Sequence, residues 1–298
     1  MAEQKIELRK IRDFGENIND TFVFLRQNLK PLLRSFFAIC GIFMLGQAIF
    51  NGMYQSHSLG GALQQLFSGR VKTGSFDSRY GGIFSIEYLM SLIFMLLTFV
   101  SMKVVLGAYL KFYLENDGQQ PNIDEIWVLY KKYFLKVFFY SLPLGLLPYV
   151  GLVFCAFPGV YLWVVFVPLT FVVMMEDADF STAFSRCFEI IKENFWISFA
   201  IYLIAYLIYG ISASIIGMVV GGIAGIAAYL TTKDVGATTG IVTSFLNIFS
   251  FTFYIIFFIS AALQYFSLIE QRDGTGILNR IDSIGTDKNN FDNIEEQY

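Results

Sequence analysis

Six long apolar segments determine which class of fold this chain can adopt. A helix needs about 20 apolar residues to cross the hydrocarbon core of a bilayer, and each segment supplies a run of that order. Only 15% of the residues are charged, whereas soluble domains carry about 25%, so a soluble fold is excluded. We predict an all-α polytopic membrane protein. The six predicted spans cover residues 32–54, 83–110, 133–154, 159–175, 195–229 and 241–268.

Basic residues divide unequally between the two sides of these spans. Sixteen of the 21 lysines and arginines fall on the side that holds both termini, four fall on the opposite side, and Lys103 lies inside a span. In multi-pass proteins the excess of basic residues marks the cytoplasmic loops. The imbalance therefore predicts that both termini lie in the cytoplasm.

Three less apolar stretches lead into the first, third and fifth spans. Their apolar residues recur at spacings of three and four, which is typical of a helix that lies in the membrane interface. Each stretch ends in a similar short hinge, at Asn28, Tyr133 or Asn194. We predict three parallel repeats, each with one cytoplasmic interfacial helix that turns into a helical hairpin. The repeats cover residues 6–115, 116–176 and 177–272.

The amphipathic stretches carry their apolar side chains on one predicted face. For the first stretch, the expectation of an interfacial helix competes with a second interpretation, a solvent-exposed helix that packs on the protein's own base. In the third stretch, Phe184 and Phe188 are expected to reach the acyl boundary of the bilayer. The apolar face of the first stretch comprises Leu8, Ile11, Phe14, Ile18, Phe22, Leu25 and Leu29.

Two polar segments lie outside the predicted spans. Residues 55–82 are rich in glycine and serine, and they are predicted to form an outer loop with one or two helical turns. Residues 273–298 are predicted to be a partly disordered cytoplasmic tail. Residues 1–272 then form a single integral membrane domain.

The fifth apolar segment is longer than a bilayer requires. As one helix it would measure about 50 Å, against a hydrocarbon core of about 30 Å. Gly217, Gly221 and Gly225 recur at every fourth position within it. The favoured interpretation is a close-packing face against a neighbouring helix. The alternative is that the helix breaks at Gly221-Gly222 and lines a cavity.

Polar residues within or beside the spans are the candidates for a functional site. The amine of Lys103 can reach the cytoplasmic head groups, pair with the acidic corner at Glu176, or meet a lipid phosphate. Tyrosines on the fifth span and polar residues on the sixth form two stripes. These stripes either bond between helices or line a shared polar pocket. The pocket candidates are Lys103, Glu176, Tyr202, Tyr206, Asn247 and Ser250, and the sixth-span stripe also includes Tyr254 and Gln264.

The sequence contains no motif of an enzyme active site, a metal site or a cofactor-binding loop. Its one histidine, His57, excludes every mechanism that needs a histidine cluster. We therefore predict no catalytic residues, no cofactor, no metal and no nucleic-acid partner. Membrane lipids, a membrane-protein partner and a second copy of the chain remain as the expected partners.

Residues 157–199 contain the clearest copy of the repeated unit. This stretch resembles the membrane domain attached to some glycerophosphodiester phosphodiesterases, and the related stand-alone six-span bacterial membrane proteins of uncharacterised function. The resemblance is good over about residues 133–199 and carries no catalytic residue over. It implies a bacterial inner-membrane protein without phosphodiesterase activity. The residues that carry it are Pro158, Gly159, Val160, Tyr161, Leu162, Glu176, Asp177, Ala183, Arg186, Lys192, Phe195 and Trp196.

Three classes of function are compatible with these patterns. The first is a membrane module without a catalytic site that scaffolds or regulates a partner. The alternative is a transporter or lipid-handling protein, which needs the two polar stripes to face a shared cavity. An intramembrane enzyme ranks last, because it needs convergent acids, bases or metal ligands that the sequence lacks.

Overall fold

The computed structural model describes residues 5–67, 85–232 and 235–274, and in these residues it contains helices and no strand. Six stretches of helix are long and apolar enough to cross a membrane. The predicted fold class, an all-α polytopic membrane protein, is therefore confirmed. The helices are α1 (Phe14–Phe67), α2 (Ile86–Glu115), α3 (Ile123–Phe154), α4 (Ala156–Phe166), α5 (Leu169–Met175), α6 (Phe180–Lys192), α7 (Phe195–Thr232) and α8 (Val235–Asp273).

Both described ends of the chain lie at one end of the bundle, which we call the basal end. The backbone N–H of Arg12, just before α1, donates to Ser267 Oγ near the end of α8, at 2.9 Å. Tyr109, near the end of α2, donates to Asn28 Oδ1 of α1 at 3.0 Å. The chain therefore returns to the basal end after its first two spans and again after its last.

The fourth span consists of two short helices. α3 and α4 form a tight hairpin with one residue, Cys155, between them. Two glycines allow this approach, because a Cβ built on Gly151 would lie 3.0 Å from the Cα of Gly159. α4 and α5 are separated at Pro168, and the stretch that contains them has 20 residues, or about 30 Å of helix. This stretch is long enough for the full span that the sequence predicts.

Two of the three predicted interfacial helices are not separate helices. α1 runs without a break through Asn28, and α3 runs without a break through Tyr133. The expected turns at these two hinges are therefore wrong. The third stretch does form a helix of its own, α6, which ends at Lys192 before α7 begins at Phe195. The repeat of a separate helix plus a hairpin is thus not reproduced in all three copies.

The continuity of α1 and α3 has a local explanation in each helix. Pro31 lies inside α1 and leaves the carbonyl of Gln27, four residues earlier, without its usual donor. Gln120, in the turn between α2 and α3, donates to that carbonyl instead. α3 begins at a capping box formed by Asn122 and Glu125, and Tyr133, well inside the helix, is held by a hydrogen bond to Asp177.

The beginning of α1 packs one face against the bundle and leaves the other exposed. The packed face holds polar side chains together with Phe24 and Leu25. The exposed face mixes apolar side chains with charged ones. The helix therefore packs on the protein's own base, as the second interpretation of this stretch expects. The buried polar residues are Asn17, Thr21 and Asn28, the exposed apolar residues are Phe14, Phe22 and Leu29, and the exposed charged residues are Glu16, Arg26 and Lys30.

α6 packs its apolar face against the protein. The ring of Phe184 lies 5.7 Å from the ring of Phe166 in α4, and Phe188 lies 5.6 Å from the same ring. Tyr161 of α4 contacts Phe188 from the other side, at 6.3 Å. The two phenylalanines expected at the acyl boundary therefore have α4 as a neighbour.

α7 is one continuous helix of 38 residues, so the alternative of a break at Gly221-Gly222 is wrong. Gly217 and Gly221 face α8 at close range. A Cβ built on Gly217 would lie 2.9 Å from Leu246 Cδ2, and one built on Gly221 would lie 3.2 Å from the same atom. At Gly225 the nearest side-chain atom is 3.6 Å away. The missing side chains let α7 and α8 approach each other here.

The first helix extends beyond its membrane span, which ends at Gln55. α1 continues to Phe67, so the first part of the predicted outer loop is helical. The rest of that loop, residues 68–84, lies outside the described residues. Residues 275–298, most of the predicted tail, also lie outside them.

Candidate functional site

The tyrosine stripe of α7 meets the polar stripe of α8 at Tyr254. The ring centroids of Tyr209 and Tyr254 are 5.5 Å apart, and Tyr206 lies 5.5 Å from Tyr209. Phe257, one turn further along α8, contacts Tyr254 at 5.0 Å. Ring pairs at such distances contribute about 0.5–1.5 kcal/mol beyond their buried area. The aromatic cluster defined by these contacts comprises Phe99, Tyr206, Tyr209, Tyr254 and Phe257.

Lys103 lies beside this aromatic cluster. Its ammonium is 4.7 Å from the centroid of the Phe99 ring, and that ring lies 5.1 Å from Tyr254. The structure thus brings together Lys103 on α2, Tyr254 on α8 and the two α7 tyrosines.

The ammonium of Lys103 points away from the basal end of the bundle. Phe99 is one turn closer than Lys103 to the N-terminal end of α2, the end opposite the base. Helical side chains lean toward the N-terminus of their helix, so this direction is the ordinary one. It leads deeper into the span. A lysine at the centre of a membrane helix costs about 2.5–3.5 kcal/mol, and a desolvated cation–π contact offsets about 2 kcal/mol of that.

Glu176 belongs to a different part of the molecule. Its carboxylate accepts hydrogen bonds from Tyr265 Oη at 2.9 Å and from Arg186 Nε at 3.1 Å. Both bonds lie at the basal end, where the corner after α5 meets α6 and α8. The carboxylate that the sequence offered as a partner for Lys103 is therefore paired elsewhere.

The remaining candidate residues lie on the two stripes with different surroundings. Tyr202 is fully buried, and among the described residues its hydroxyl has no hydrogen-bond partner. Its ring lies 6.5 Å from Trp163 and 6.2 Å from Phe257. Ser250 Oγ donates to a carbonyl of its own helix at 2.9 Å. Asn247 is half-buried and lies about two turns from Tyr254 toward the opposite end of the bundle.

A second group of polar side chains is fully enclosed between α1, α7 and α8. Ser260 Oγ donates to Asn17 Oδ1 at 2.9 Å, and the Asn17 side-chain amide lies 3.5 Å from Gln264 Oε1. Gln264 Nε2 in turn donates to Ser198 Oγ at 3.1 Å. These four residues, the buried polar cluster, are each at most 2% exposed. They connect three helices through side chains that satisfy one another.

Sequence reasoning identified Gln264 but missed Asn17, Ser198 and Ser260. Asn17, Thr21 and Asn28 follow one face of α1, next to the apolar stripe. In a helix lying on a membrane, that face would meet solvent or head groups. The spacing of these polar residues was the signal in the sequence. Its use required assigning the polar face to the inside of the bundle.

The acidic corner after α5 is fixed by a tyrosine and by lysines. Tyr133 Oη donates to Asp177 Oδ1 at 2.6 Å, and Lys111 Nζ donates to Tyr133 Oη at 2.9 Å. Lys132 lies 3.6 Å from the same carboxylate, and Lys136 donates to the Asp177 carbonyl at 2.9 Å. The hydrogen bond from Tyr133, followed by the charges of the three lysines, lowers the pKa of Asp177 despite its partial burial. The hinge residue Tyr133 therefore makes a tertiary contact where a turn was expected.

Arg186 of α6 joins this corner to the end of α8. Its guanidinium lies 3.1 Å from Glu176, 2.6 Å from Asp273 and 3.6 Å from Glu189. Burial by itself lowers the pKa of Arg186, but the charges and hydrogen bonds of Glu176 and Asp273 outweigh burial and raise it. The hinge residue Asn194 adds a further bond to α8, to Gln271 Oε1 at 3.3 Å.

The described residues contain no group of three or more histidine, cysteine, aspartate or glutamate side chains that could hold a metal ion. Comparison with known proteins adds no assignment, since no family model, no curated protein and no solved structure matches this chain. A functional assignment therefore rests on the geometry of the aromatic cluster, the buried polar cluster and the basal charges.

Proposed function

We propose that the chain is a multi-pass membrane module that scaffolds or regulates a partner and performs no catalysis of its own. The observation that carries this proposal is the buried polar cluster. Its side chains, on α1, α7 and α8, bond to one another, as in the pair Ser260 and Asn17 at 2.9 Å. Interhelical bonds of this kind hold membrane helices in fixed relative positions. Helices held in fixed positions suit a scaffold for a partner better than a transport pathway that must open between helices.

We further propose that the basal end faces the cytoplasm across a bacterial inner membrane. Lys111, Lys132, Lys136 and Arg186 lie at this end, and basic residues accumulate on the cytoplasmic side of multi-pass proteins. Both termini are cytoplasmic in this arrangement. The resemblance of residues 133–199 to stand-alone six-span bacterial proteins supports the choice of membrane.

Cysteine labelling distinguishes a packed platform from a transport pathway. Cys155 is the exposed native cysteine, while Cys40 and Cys187 are buried, so Cys155→Ala gives a suitable background. In inside-out vesicles, a hydrophilic thiol reagent is expected to label Lys131→Cys, an exposed position near the basal end, and to leave Ser198→Cys unlabelled. Labelling of Ser198→Cys at the rate of the control would favour the alternative, a transporter or lipid-handling protein with a polar intramembrane pocket.

Photo-crosslinking in native membranes tests the partner directly. A photoreactive residue at Val128, exposed near the start of α3, or at Met218, exposed on α7, reports what lies against each surface. A protein adduct at one of the two positions is the expected result, and a gain of 33.9 kDa would identify a second copy of the chain. Lipid adducts alone at both positions would contradict the scaffold.

A further inference from the structure

Lys103 takes no part in the contacts that hold the bundle together. Its ammonium contacts the ring of Phe99 at 4.7 Å, and it forms no ion pair with a carboxylate among the residues that the structure describes. Among the described residues, the bases in such pairs include Lys10, Arg12, Lys111, Lys132, Arg186 and Arg272. Ionisable groups inside a span are rare, and those without a carboxylate partner are candidates for binding a ligand of opposite charge.

The depth of Lys103 follows from its register with α1. The two helices run antiparallel, and Asn28 of α1 bonds to Tyr109 of α2. Arg34 and Lys103 each lie six residues beyond this bonded pair, or about 9 Å further from the basal end. The two side chains differ in direction, because each leans toward the N-terminus of its own helix. Arg34 therefore leans back toward the basal end, whereas Lys103 leans deeper.

The surface next to Lys103 is open to lipid on one side and closed on the other. Toward the end opposite the base, α2 presents a stripe of exposed apolar side chains that includes Leu89, Ile93 and Leu96. Toward the basal end, α5 covers the helix so closely that a Cβ on Gly107 would meet Met174 Sδ at 2.5 Å. The stripe thus ends at the ammonium.

We propose that Lys103 binds the acidic head group of an anionic amphiphile whose hydrocarbon chain lies along the exposed stripe of α2. The ammonium supplies the positive charge for a phosphate or a carboxylate. Phe99 and the aromatic cluster provide an apolar wall next to the head group. The stripe of exposed leucine and isoleucine provides a hydrocarbon surface for the chain. The head group would lie deeper in the span than Tyr109, further from the basal end. Binding therefore selects amphiphiles whose acidic group can be buried at that depth.

Native mass spectrometry of the full-length protein in detergent tests this site. The probes are phosphatidylglycerol, palmitate and phosphatidylcholine, the last as a zwitterionic lipid without net charge. The wild-type protein is expected to retain phosphatidylglycerol, palmitate or both about tenfold more strongly than phosphatidylcholine. Preference for phosphatidylglycerol identifies a phospholipid head group as the ligand, and preference for palmitate identifies a free carboxylate. Equal retention of all three would overturn the proposal.

Three variants assign the effect to Lys103. Lys103→Met is expected to lose the preference for anionic probes, while Lys103→Arg, which keeps the charge, retains it. Arg34→Met is the matched control, because it removes a cation at the same depth that leans the other way. Loss of the preference in Arg34→Met to the same degree as in Lys103→Met would mean general attraction to charge, and would refute a site at Lys103.

A measurement on the wild-type protein removes any dependence on how the variants fold. A membrane-permeant amine reagent modifies Lys103 in phosphatidylcholine nanodiscs, and peptide mapping gives the extent. Adding whichever anionic probe the protein prefers is expected to lower the modification of Lys103 several-fold and to leave Lys131 unchanged. Unchanged modification of Lys103 would contradict the proposal.

Discussion

The side-chain amide of Gln120 donates a hydrogen bond to the backbone carbonyl of Gln27, at 3.1 Å. Gln27 lies four residues before Pro31, so this carbonyl is the one that the proline leaves without a helical donor. A side chain 93 positions away thus supplies the bond that the proline cannot make, and α1 continues through a residue that usually ends or bends a helix.

Replacing Gln120 is expected to weaken the protein chiefly through this carbonyl, and it also removes a longer hydrogen bond, of 3.4 Å, to Asn28 Oδ1. Gln120→Ala should lower the free energy of unfolding by about 0.5–1.5 kcal/mol, the usual value of such a bond. The informative comparison is a double-mutant cycle with Pro31→Ala, in which residue 31 regains its N–H. In that background the cost of Gln120→Ala should fall, as measured by unfolding in mixed micelles. An equal cost in both backgrounds would show that Gln120 acts in another way.

The buried polar cluster predicts a larger effect. Gln264→Leu leaves the side chains of Asn17 and Ser198 without their shared partner in an enclosed site. Each unsatisfied group costs about 1–3 kcal/mol in water-soluble proteins, and bonds between membrane helices average about 0.6 kcal/mol. We expect a loss of about 1–2 kcal/mol in a steric-trapping measurement. Ser250→Ala is the control, because that hydroxyl bonds within its own helix, and it should change stability by less than about 0.5 kcal/mol.

Acid should weaken the corner at Asp177. The pKa of this carboxyl is lowered in the folded protein, first by the hydrogen bond from Tyr133. The ionised group therefore stabilises the fold above its ordinary pKa of 3.8, and the contribution is lost as the pH falls through the lower folded-state value. The Tm of Asp177→Asn should lie below that of the wild type at pH 7, and the gap should close on acidification. A gap that stays constant down to about pH 3 would exclude this linkage. In a Tyr133→Phe background, the Tm difference caused by Asp177→Asn should depend less on pH than it does in the wild-type background.

The glycines of α7 predict that a larger side chain lowers the Tm at some positions and leaves it unchanged at others. Gly221→Leu places a large side chain against Leu246, and overpacking of this kind costs about 1–3 kcal/mol. Gly222→Leu is the neighbouring control, because the structure shows open space around that position. The Tm in detergent should fall for the first variant and stay unchanged for the second. Equal values for the two variants would rule out a packing role for Gly221.

Labelling from outside intact cells checks the proposed orientation. Gln119, in the turn between α2 and α3, lies at the basal end and is exposed. In the Cys155→Ala background, a cysteine at Gln119 should resist an impermeant thiol reagent until the cells are opened, whereas a cysteine at Ser75 should react at once. The reverse pattern would place the basal end outside the cell.

Hydropathy was sufficient to predict the spans, because a bilayer forces apolar side chains into runs of a definite length. The continuity of α1 and α3 was not predictable in the same way. For α1, the residue that compensates for Pro31 is Gln120, which lies far from it in sequence. For α3, the sequence around Tyr133 does not show whether its hydroxyl faces lipid or Asp177. The inward face of α1 was left open, because an amphipathic pattern does not state which of its sides packs against the protein. The meeting of Tyr209 with Tyr254 depends on the rotation of two long helices about their axes, which their sequences leave open.

The length of α1 makes it a mechanical element. Its 54 residues extend about 80 Å as one helix, well beyond a hydrocarbon core of about 30 Å. The basal part is fastened to α8 by Asn17 and to α2 by Asn28, and the far part extends past the start of α2. A rigid helix of this length is expected to transmit a tilt from its basal end to its far end. Force applied at the basal end would thus move the opposite end of α1 without any change in the order of the helices.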